Sequence, residues 1–251
     1  MTEALLTAGG LVKRFGPHFT AVREVSLEVA PGETLGIVGE SGSGKSTLLR
    51  LLNGLYRADA GSIVFRTSEL VGASTSDLRK TRRHVQMIFQ DPYACLNPRM
   101  RVEEILTEPL KIHKISRKER KTRIREMLDA VQLPASALRR YPHEFSGGQR
   151  QRIGIARALV LRPELVLADE PVASLDVSVQ AQVLNLLKDL QQEFGCAMIF
   201  VAHDLPVVQY VSDRISVMKA GELVETLPSR KLFDHPQHPY TQKLIDAVSS
   251  L

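Results

Sequence analysis

The chain has 251 residues, 43% of them hydrophobic, enough for one large domain or two small ones that fold without staples. Its 33 Lys and Arg against 28 Asp and Glu leave a charge of +5, an excess that a solvated surface with a few ligand-facing cations explains better than a nucleic-acid surface does. Cys95 and Cys196 stand far apart and outside metal-ligand spacing, which points to a reduced cytosolic chain. No run approaches the ~18 apolar residues of a membrane span, and Met1-Thr2-Glu3 opens no leader, so any membrane association is expected to be peripheral.

Val22 to Val29 alternates, with Val25, Leu27 and Val29 on one face and Glu24, Ser26 and Glu28 on the other, which predicts a half-exposed strand. Pro31-Gly32 turns it back. The apolar run Leu35-Gly36-Ile37-Val38 then leads into Gly39-Glu40-Ser41-Gly42-Ser43-Gly44-Lys45-Ser46-Thr47, which fits the pattern G-x-x-x-x-G-K-[ST]. A helix-like run follows from Lys45 through Leu48, Leu49, Leu51 and Leu52 to Asn53, the context that a phosphate-binding loop requires. The glycines at 39, 42 and 44 let several N–H groups converge on phosphate oxygens at the positive end of that helix. Lys45 is placed to reach the β and γ phosphates, and the Ser46 hydroxyl to coordinate Mg²⁺. Gly54 stops the helix, and Ala60-Gly61 turns into a short strand, Ser62 to Phe65. The polar stretch from Ser68 to about Val85 precedes another strand, Val85 to Phe89, which ends at Gln90.

Composition changes after Asp91-Pro92, where we place a subdomain boundary, and from Val102 to Val160 the signal is helical. Ser116 with Glu119 forms a capping box, Ile124, Met127, Leu128 and Val131 make a stripe, and Pro134 is expected to close the helix. The same helix carries Arg117, Lys118, Arg120, Lys121, Arg123 and Arg125. No aromatic residues interleave to stack bases, so these read as a solvated face. Phe145-Ser146-Gly147-Gly148-Gln149 then opens a helix whose small N-terminus suits an anion.

Leu165-Val166-Leu167-Ala168 is apolar without alternation, as a strand buried on both faces is, and it ends in Asp169-Glu170. Two adjacent carboxylates at that tip are costly unless they hold a metal or do chemistry. Ser174-Leu175-Asp176 leads into a long helix capped at Gly195, and a further buried strand, Ala197 to Ala202, ends at His203-Asp204, the edge where α/β sheets bind ligands. Two short strands, Arg214 to Met218 and Leu223 to Thr226, and a last helix, Tyr240 to Val248 with Leu244, Ile245 and Val248 at helical spacing, complete the chain. The phosphate loop and the strand ending in Asp169 specify a nucleoside triphosphatase with Mg²⁺ held by Ser46 and Asp169, and Glu170 stands where it could polarise an attacking water.

With the phosphate loop, Gln90, Phe145 to Gln149, Leu165 to Glu170, Ser174-Leu175-Asp176 and His203 in this order, the chain resembles the nucleotide-binding subunit of an ABC transporter over essentially its whole length. Phe145 stands where leucine is commoner, an apolar exchange. The resemblance implies an α/β phosphate-loop NTPase fold of ABC type: a mixed sheet in a RecA-like core, an antiparallel β subdomain and a helical signature subdomain. One domain is expected over 1–251, with core and β subdomain in 1–91 and 160–251 and the helical subdomain in 92–159. It also implies ATP and Mg²⁺ as cofactors, Mg²⁺ being held by Ser46, Gln90 and Asp169. Gln90 would be the loop glutamine that also contacts the attacking water and senses the membrane partner. Glu170 would be the catalytic base and His203 the switch histidine on the γ-phosphate. Ser146 and Gly148, with Gly147 and Gln149 beside them, would address ATP on an opposite subunit of a head-to-tail dimer, and Asp176 would sit at its seam. Phe15 is our choice for the aromatic residue under adenine, with Phe19 as the rival.

The run Gln90-Asp91-Pro92-Tyr93-Ala94-Cys95-Leu96-Asn97-Pro98-Arg99 and the tail His235-Pro236-Gln237-His238-Pro239-Tyr240-Thr241 resemble the importers of dipeptides, oligopeptides and nickel. That group implies two membrane permeases, a second ATPase subunit or a second copy of this one, an extracytoplasmic binding protein, no nucleic acid, and a peripheral place on the cytoplasmic face of the membrane. Some relatives carry an iron-sulfur cluster on a cysteine-bearing C-terminal extension. This chain ends at Leu251 without one, so no cluster is expected. The competing reading is a soluble ABC ATPase of an enzyme complex such as the phosphonate carbon-phosphorus lyase machinery, whose ATPases resemble it through the same tail. A chromosome-structure or DNA-repair ATPase would need a long coiled coil where only 101 positions separate Lys45 from Ser146, and a translation-factor ATPase would carry two such cassettes.

Overall fold

The computed structural model of the chain describes residues 3–249. Met1, Thr2 and Leu251, on which the expectations about the two chain ends fall, and the side chain of Val248 lie outside the described residues. Two long strands, β1 (Leu6–Phe15) and β2 (Phe19–Val29), open the fold and pair antiparallel with Leu6 opposite Val29 and Phe15 opposite Phe19. The alternation from Val22 predicts all of β2 but its first three residues. β1 escapes it because register shifts between Ala8 and Arg14 break the period of two. β3 (Thr34–Val38) is buried throughout and passes through the phosphate loop into α1 (Lys45–Leu52), after which Gly54 takes a left-handed φ of 63°. β4 (Ala60–Phe65) and β5 (Ser68–Glu69) complete a four-stranded antiparallel sheet in the order β2-β1-β4-β5.

The polar stretch that follows holds a helix the sequence does not advertise, α2 (Thr75–Thr81). It is capped by Ser74 but buries no side chain, so it carries no apolar stripe to read. Then come β6 (Val85–Ile88), α3 (Pro92–Cys95), α4 (Val102–Ile112), α5 (Arg117–Ala130) and, after two short 3-10 turns, α6 (Gly147–Leu159). In α5 the Ser116 hydroxyl accepts from the Glu119 amide at 3.3 Å, and Ile124, Met127 and Leu128 are buried. The helix stops short of Pro134, contrary to expectation. Gln132 adopts φ 58° and the Leu133 amide donates back to Leu128 O at 2.9 Å, a left-handed closure that acts before the proline is reached.

β7 (Leu165–Asp169), α7 (Val177–Phe194), β8 (Ala197–Ala202), α8 (Leu205–Val211), β9 (Arg214–Lys219), β10 (Glu222–Pro228), α9 (Ser229–Asp234) and α10 (Pro239–Ser249) finish the chain. The second sheet has the order β10-β9-β3-β8-β7-β6; every pairing is parallel except that of β10 with β9. Its strands sort their side chains by alternation into two buried clusters. Leu35, Ile37, Leu165, Leu167, Ile199 and Val201 pack with α1 and the antiparallel sheet, while Val166, Ala168, Met198, Phe200, Ile215 and Val217 pack with the helices of the other face. Parallel pairing has one functional consequence: the C-terminal ends of β3, β6, β7 and β8 open onto one edge. No described helix is long and apolar enough to cross a membrane.

Candidate active site

The phosphate loop is set by backbone crowding. A Cβ on Gly39 would lie 2.0 Å from Met218 O, and one on Gly44, at φ 108°, would lie 2.2 Å from Ala21 O. Only glycine fits at either position. Gly44 caps α1 without a side chain, so no side chain occupies the N–H groups at the start of that helix, where Lys45, Ser46 and Thr47 stand. Ser41 and Gly42 are exposed, whereas the Ser43 hydroxyl is buried and meets no partner among the described residues. Lys45 is buried, with Nζ donating to the carbonyls of Gly39 at 2.7 Å and Glu40 at 2.9 Å and lying 4.0 Å from Glu170 Oε1. Burial lowers its pKa, against the charges of Glu170 and Asp169.

The strand ends bring the other groups to it. Ser46 Oγ donates to Asp169 Oδ1 at 2.7 Å across 123 positions of sequence. Asp169 closes β7 at 2% exposure, and that burial raises its pKa while the Ser46 bond and the Arg50 charge oppose the rise. Gln90, two residues past β6, donates from Nε2 to Glu170 Oε2 at 3.1 Å. His203, the first residue after β8, holds Nδ1 3.5 Å from the same oxygen. Glu170 itself has φ 45° and donates its amide to Val201 O at 2.9 Å. Lys45, Ser46, Gln90, Asp169, Glu170 and His203 therefore form one constellation.

The donor set fits a magnesium nucleotide. Ser46, Asp169 and the Gln90 amide offer oxygen ligands, and no group of three or more His, Cys, Asp or Glu side chains is placed to hold a metal among the described residues. Mg²⁺ suits such a sparse site, since it takes few protein oxygens and completes its shell with phosphates and water. The Ser43 hydroxyl and the start of α1, neither of which meets a side-chain partner among the described residues, are donors of the kind a triphosphate accepts.

The remaining candidates stand apart from this constellation. Ser146 caps α6 reciprocally: its hydroxyl accepts from the Gln149 amide at 3.3 Å, and Gln149 Oε1 accepts from the Ser146 amide at 3.1 Å. Asp176 caps α7, accepting from the Val179 amide at 2.9 Å and the Ser178 hydroxyl at 2.8 Å. The two helix starts meet at Gly148, where a Cβ would lie 2.5 Å from Val179 Cγ1; a Cβ on Gly147 would meet Leu175 at an ordinary 3.6 Å. That packing is invisible in the sequence. The rings of Phe15 and Phe19 stack 6.5 Å apart, and Tyr56 meets Phe15 edge-on at 5.6 Å. Sequence reasoning missed Tyr56, for which an aromatic residue just past the helix end of the phosphate-loop unit was the signal available.

Fold and site together define the class: a phosphate-loop nucleoside triphosphatase with its catalytic groups at the ends of parallel strands. Residues 22–173 match the family described as ABC transporter. Over 254 residues the chain is 52% identical to the oligopeptide transport ATP-binding protein OppF of Bacillus subtilis, covering 99% of this chain and 83% of that one. Among solved structures it is similar to cbiO1 of Clostridium perfringens, part of the ABC transporter complex cbiONQ, with TM-score 0.84 and 26% identity over 93% of this chain and 92% of that one. The ATP-binding cassette MJ0796, solved as a dimer bound to ADP and phosphate, aligns with TM-score 0.79 and 31% identity over 90% of this chain and 99% of that one. The chain belongs to the ABC transporter family, as one of its ATPase subunits.

Proposed function

We propose that this subunit energises import of peptides, or of nickel or a related metal chelate, across the cytoplasmic membrane. Two permeases would form the path and an extracytoplasmic binding protein would deliver the cargo. The observation that carries this reading is the likeness, over 99% of this chain, to an oligopeptide transport ATP-binding protein together with an intact catalytic constellation. The chain would sit peripherally on the cytoplasmic face, bound to the permeases. When bound, Mg²⁺ would neutralise developing phosphate charge from a place between Ser46, Asp169 and Gln90. Lys45 and the phosphate-loop amides, from Gly39 to Thr47, hold the β and γ phosphates, and the Phe15 ring takes the adenine. Glu170, held by Gln90 and His203, accepts the proton of the attacking water, and His203 is placed to follow the γ-phosphate. The helical subdomain, 92–159, presents Ser146, Gly147, Gly148 and Gln149 to ATP on a second ATPase subunit in a head-to-tail dimer, with Asp176 at the seam.

Two experiments test this. Purification from native membranes in mild detergent should recover two multi-span permeases and a second ATPase subunit or a second copy; recovery with soluble enzymes instead would overturn the importer reading. Glu170→Gln should keep ATP binding and lower turnover by about 10²–10⁴-fold, the usual range for a lost general base, while accumulating an ATP-bound dimer. Unchanged hydrolysis would remove Glu170 from that role.

A further inference from the structure

The tail His235 to Thr241 marks the subfamily in the sequence but has no part in the chemistry described above. In the structure it is wired into the phosphate loop. Both Glu225 carboxylate oxygens on β10 hold its backbone, accepting from the Gln237 amide at 2.7 Å and the His238 amide at 3.2 Å. His238 Nδ1 in turn accepts from the Tyr240 amide at 3.1 Å. These bonds fix the first turn of α10, and with it the Tyr240 ring, which is 7% exposed and lies under the Lys219 ammonium at 4.8 Å. The Tyr240 hydroxyl accepts from the Glu40 amide of the phosphate loop at 3.4 Å, a contact across 200 positions.

The geometry of that single amide matters because a peptide unit is planar and trans, so its N–H and C=O point in opposite directions. The Glu40 N–H and the Gly39 carbonyl belong to one such unit. Its N–H faces Tyr240, and its carbonyl accepts from Lys45 Nζ at 2.7 Å. Tyr240 on one side and Lys45 on the other thus orient the same plane. The turn between β9 and β10 braces the loop nearby, where the Gly221 amide donates to Ser43 O at 2.9 Å and Met218 O crowds Gly39.

We propose that the His-Pro-Tyr tail is a strap on the phosphate loop, and that Tyr240 is a positioning residue which sets the Gly39-Glu40 peptide plane and through it Lys45 for the nucleotide phosphates. The inference rests on the reading of this loop as the ATP site. Without the hydroxyl, that peptide unit keeps the lysine bond and loses the one opposite it. Lys45 then gives up part of its orientation before any phosphate arrives, and affinity falls for every nucleotide bearing a β-phosphate.

The test is ADP binding by isothermal titration calorimetry on the full chain and on Tyr240→Phe, which removes the hydroxyl and keeps the ring over which Lys219 lies. We expect affinity to fall roughly fivefold, equivalent to about 1 kcal/mol for one neutral hydrogen bond, with the melting midpoint of the nucleotide-free protein unchanged. Unchanged affinity in Tyr240→Phe would overturn the strap, and a loss confined to Tyr240→Ala would reduce Tyr240 to packing. Should the midpoint of Tyr240→Phe fall as well, amide exchange decides: faster exchange confined to the phosphate loop supports the strap, and faster exchange throughout α10 and the core overturns it. Absence of ADP binding by the unaltered chain would instead refute the ATP-site reading itself.

Discussion

Adding one methyl group at Gly148 and one at Gly147 should have opposite effects on stability. The two glycines are consecutive at the start of α6, and both have ordinary helical backbones, so alanine gains up to about 1 kcal/mol of helix propensity at either. They differ in what the methyl meets. At Gly147 it finds Leu175 at 3.6 Å, normal contact, whereas at Gly148 it would stand 2.5 Å from Val179 Cγ1. Val179 sits in the first turn of α7, where a β-branched side chain has one strongly preferred rotamer, so it cannot swing away cheaply. Overpacking of this kind costs about 1–3 kcal/mol. With about 1 kcal/mol of propensity set against it, Gly148→Ala should destabilise by up to about 2 kcal/mol and lower the melting midpoint by up to about 8 °C, at about 2–4 °C per kcal/mol for a chain of this size. Gly147→Ala should melt at or slightly above the unaltered protein. Calorimetric melting of the two variants and of Gly148→Ala combined with Val179→Ala is the assay. The double variant should regain most of the loss. Equal midpoints for the two single variants, or no recovery in the double, would refute the claim that Gly148 is glycine because of α7.

Phe15→Ala should weaken ATP binding by about 1–3 kcal/mol, the range for one stacked base, with Phe19→Ala weaker in effect because Phe19 would act on the base through its stacking against Phe15; a fluorescent nucleotide titration in which only Phe19→Ala matters would move the adenine to Phe19. Burial pushes the Cys196 thiol up to about 11 from the ordinary thiol value of 9.0, so across that window the folded chain keeps a proton that the unfolded chain gives up, and stability falls as pH rises from about 9 to about 11. At ~1.4 kcal/mol per pH unit this removes up to about 3 kcal/mol, and Cys196→Ala should flatten that part of the pH profile of denaturant midpoints; an unchanged profile would refute it.

What was legible in the sequence was what local chemistry dictates. The phosphate loop is nine consecutive residues whose spacing is the function, and β8 spans the run from Ala197 to Ala202 read from continuous apolarity. Asp169 and His203 were legible because each stands at the end of a buried strand, and parallel strands share an edge; Gln90, two residues past β6, was legible only through the family resemblance. The misses have physical causes as well. β1 hides behind its register shifts, α2 buries nothing, and the glycine requirement at 148 comes from a valine 31 positions away on another helix. Contacts such as Glu40 with Tyr240 depend on how β9, β10 and α10 fold back over the loop, which no pattern in either segment records.

The backbone at Glu170 explains how two adjacent carboxylates serve one site. In a regular strand successive side chains point to opposite faces, so extending β7 by one residue would send Glu170 away from Asp169 and Ser46. A φ of 45° at Glu170 breaks the alternation, at a cost on the order of 1–3 kcal/mol for a residue with a Cβ. The surroundings fix that conformation. The Glu170 amide is tied to Val201 O on β8, and its carboxylate is held between Gln90, His203 and Lys45. Val201 and His203 belong to β8 and its end, Gln90 follows β6, and Lys45 follows β3, so the strained turn draws on three strands besides its own and needs β3, β6, β7 and β8 in register. A glycine at 170 would accept the same backbone without strain and without a carboxylate; keeping glutamate there trades stability for a second acid within reach of the first.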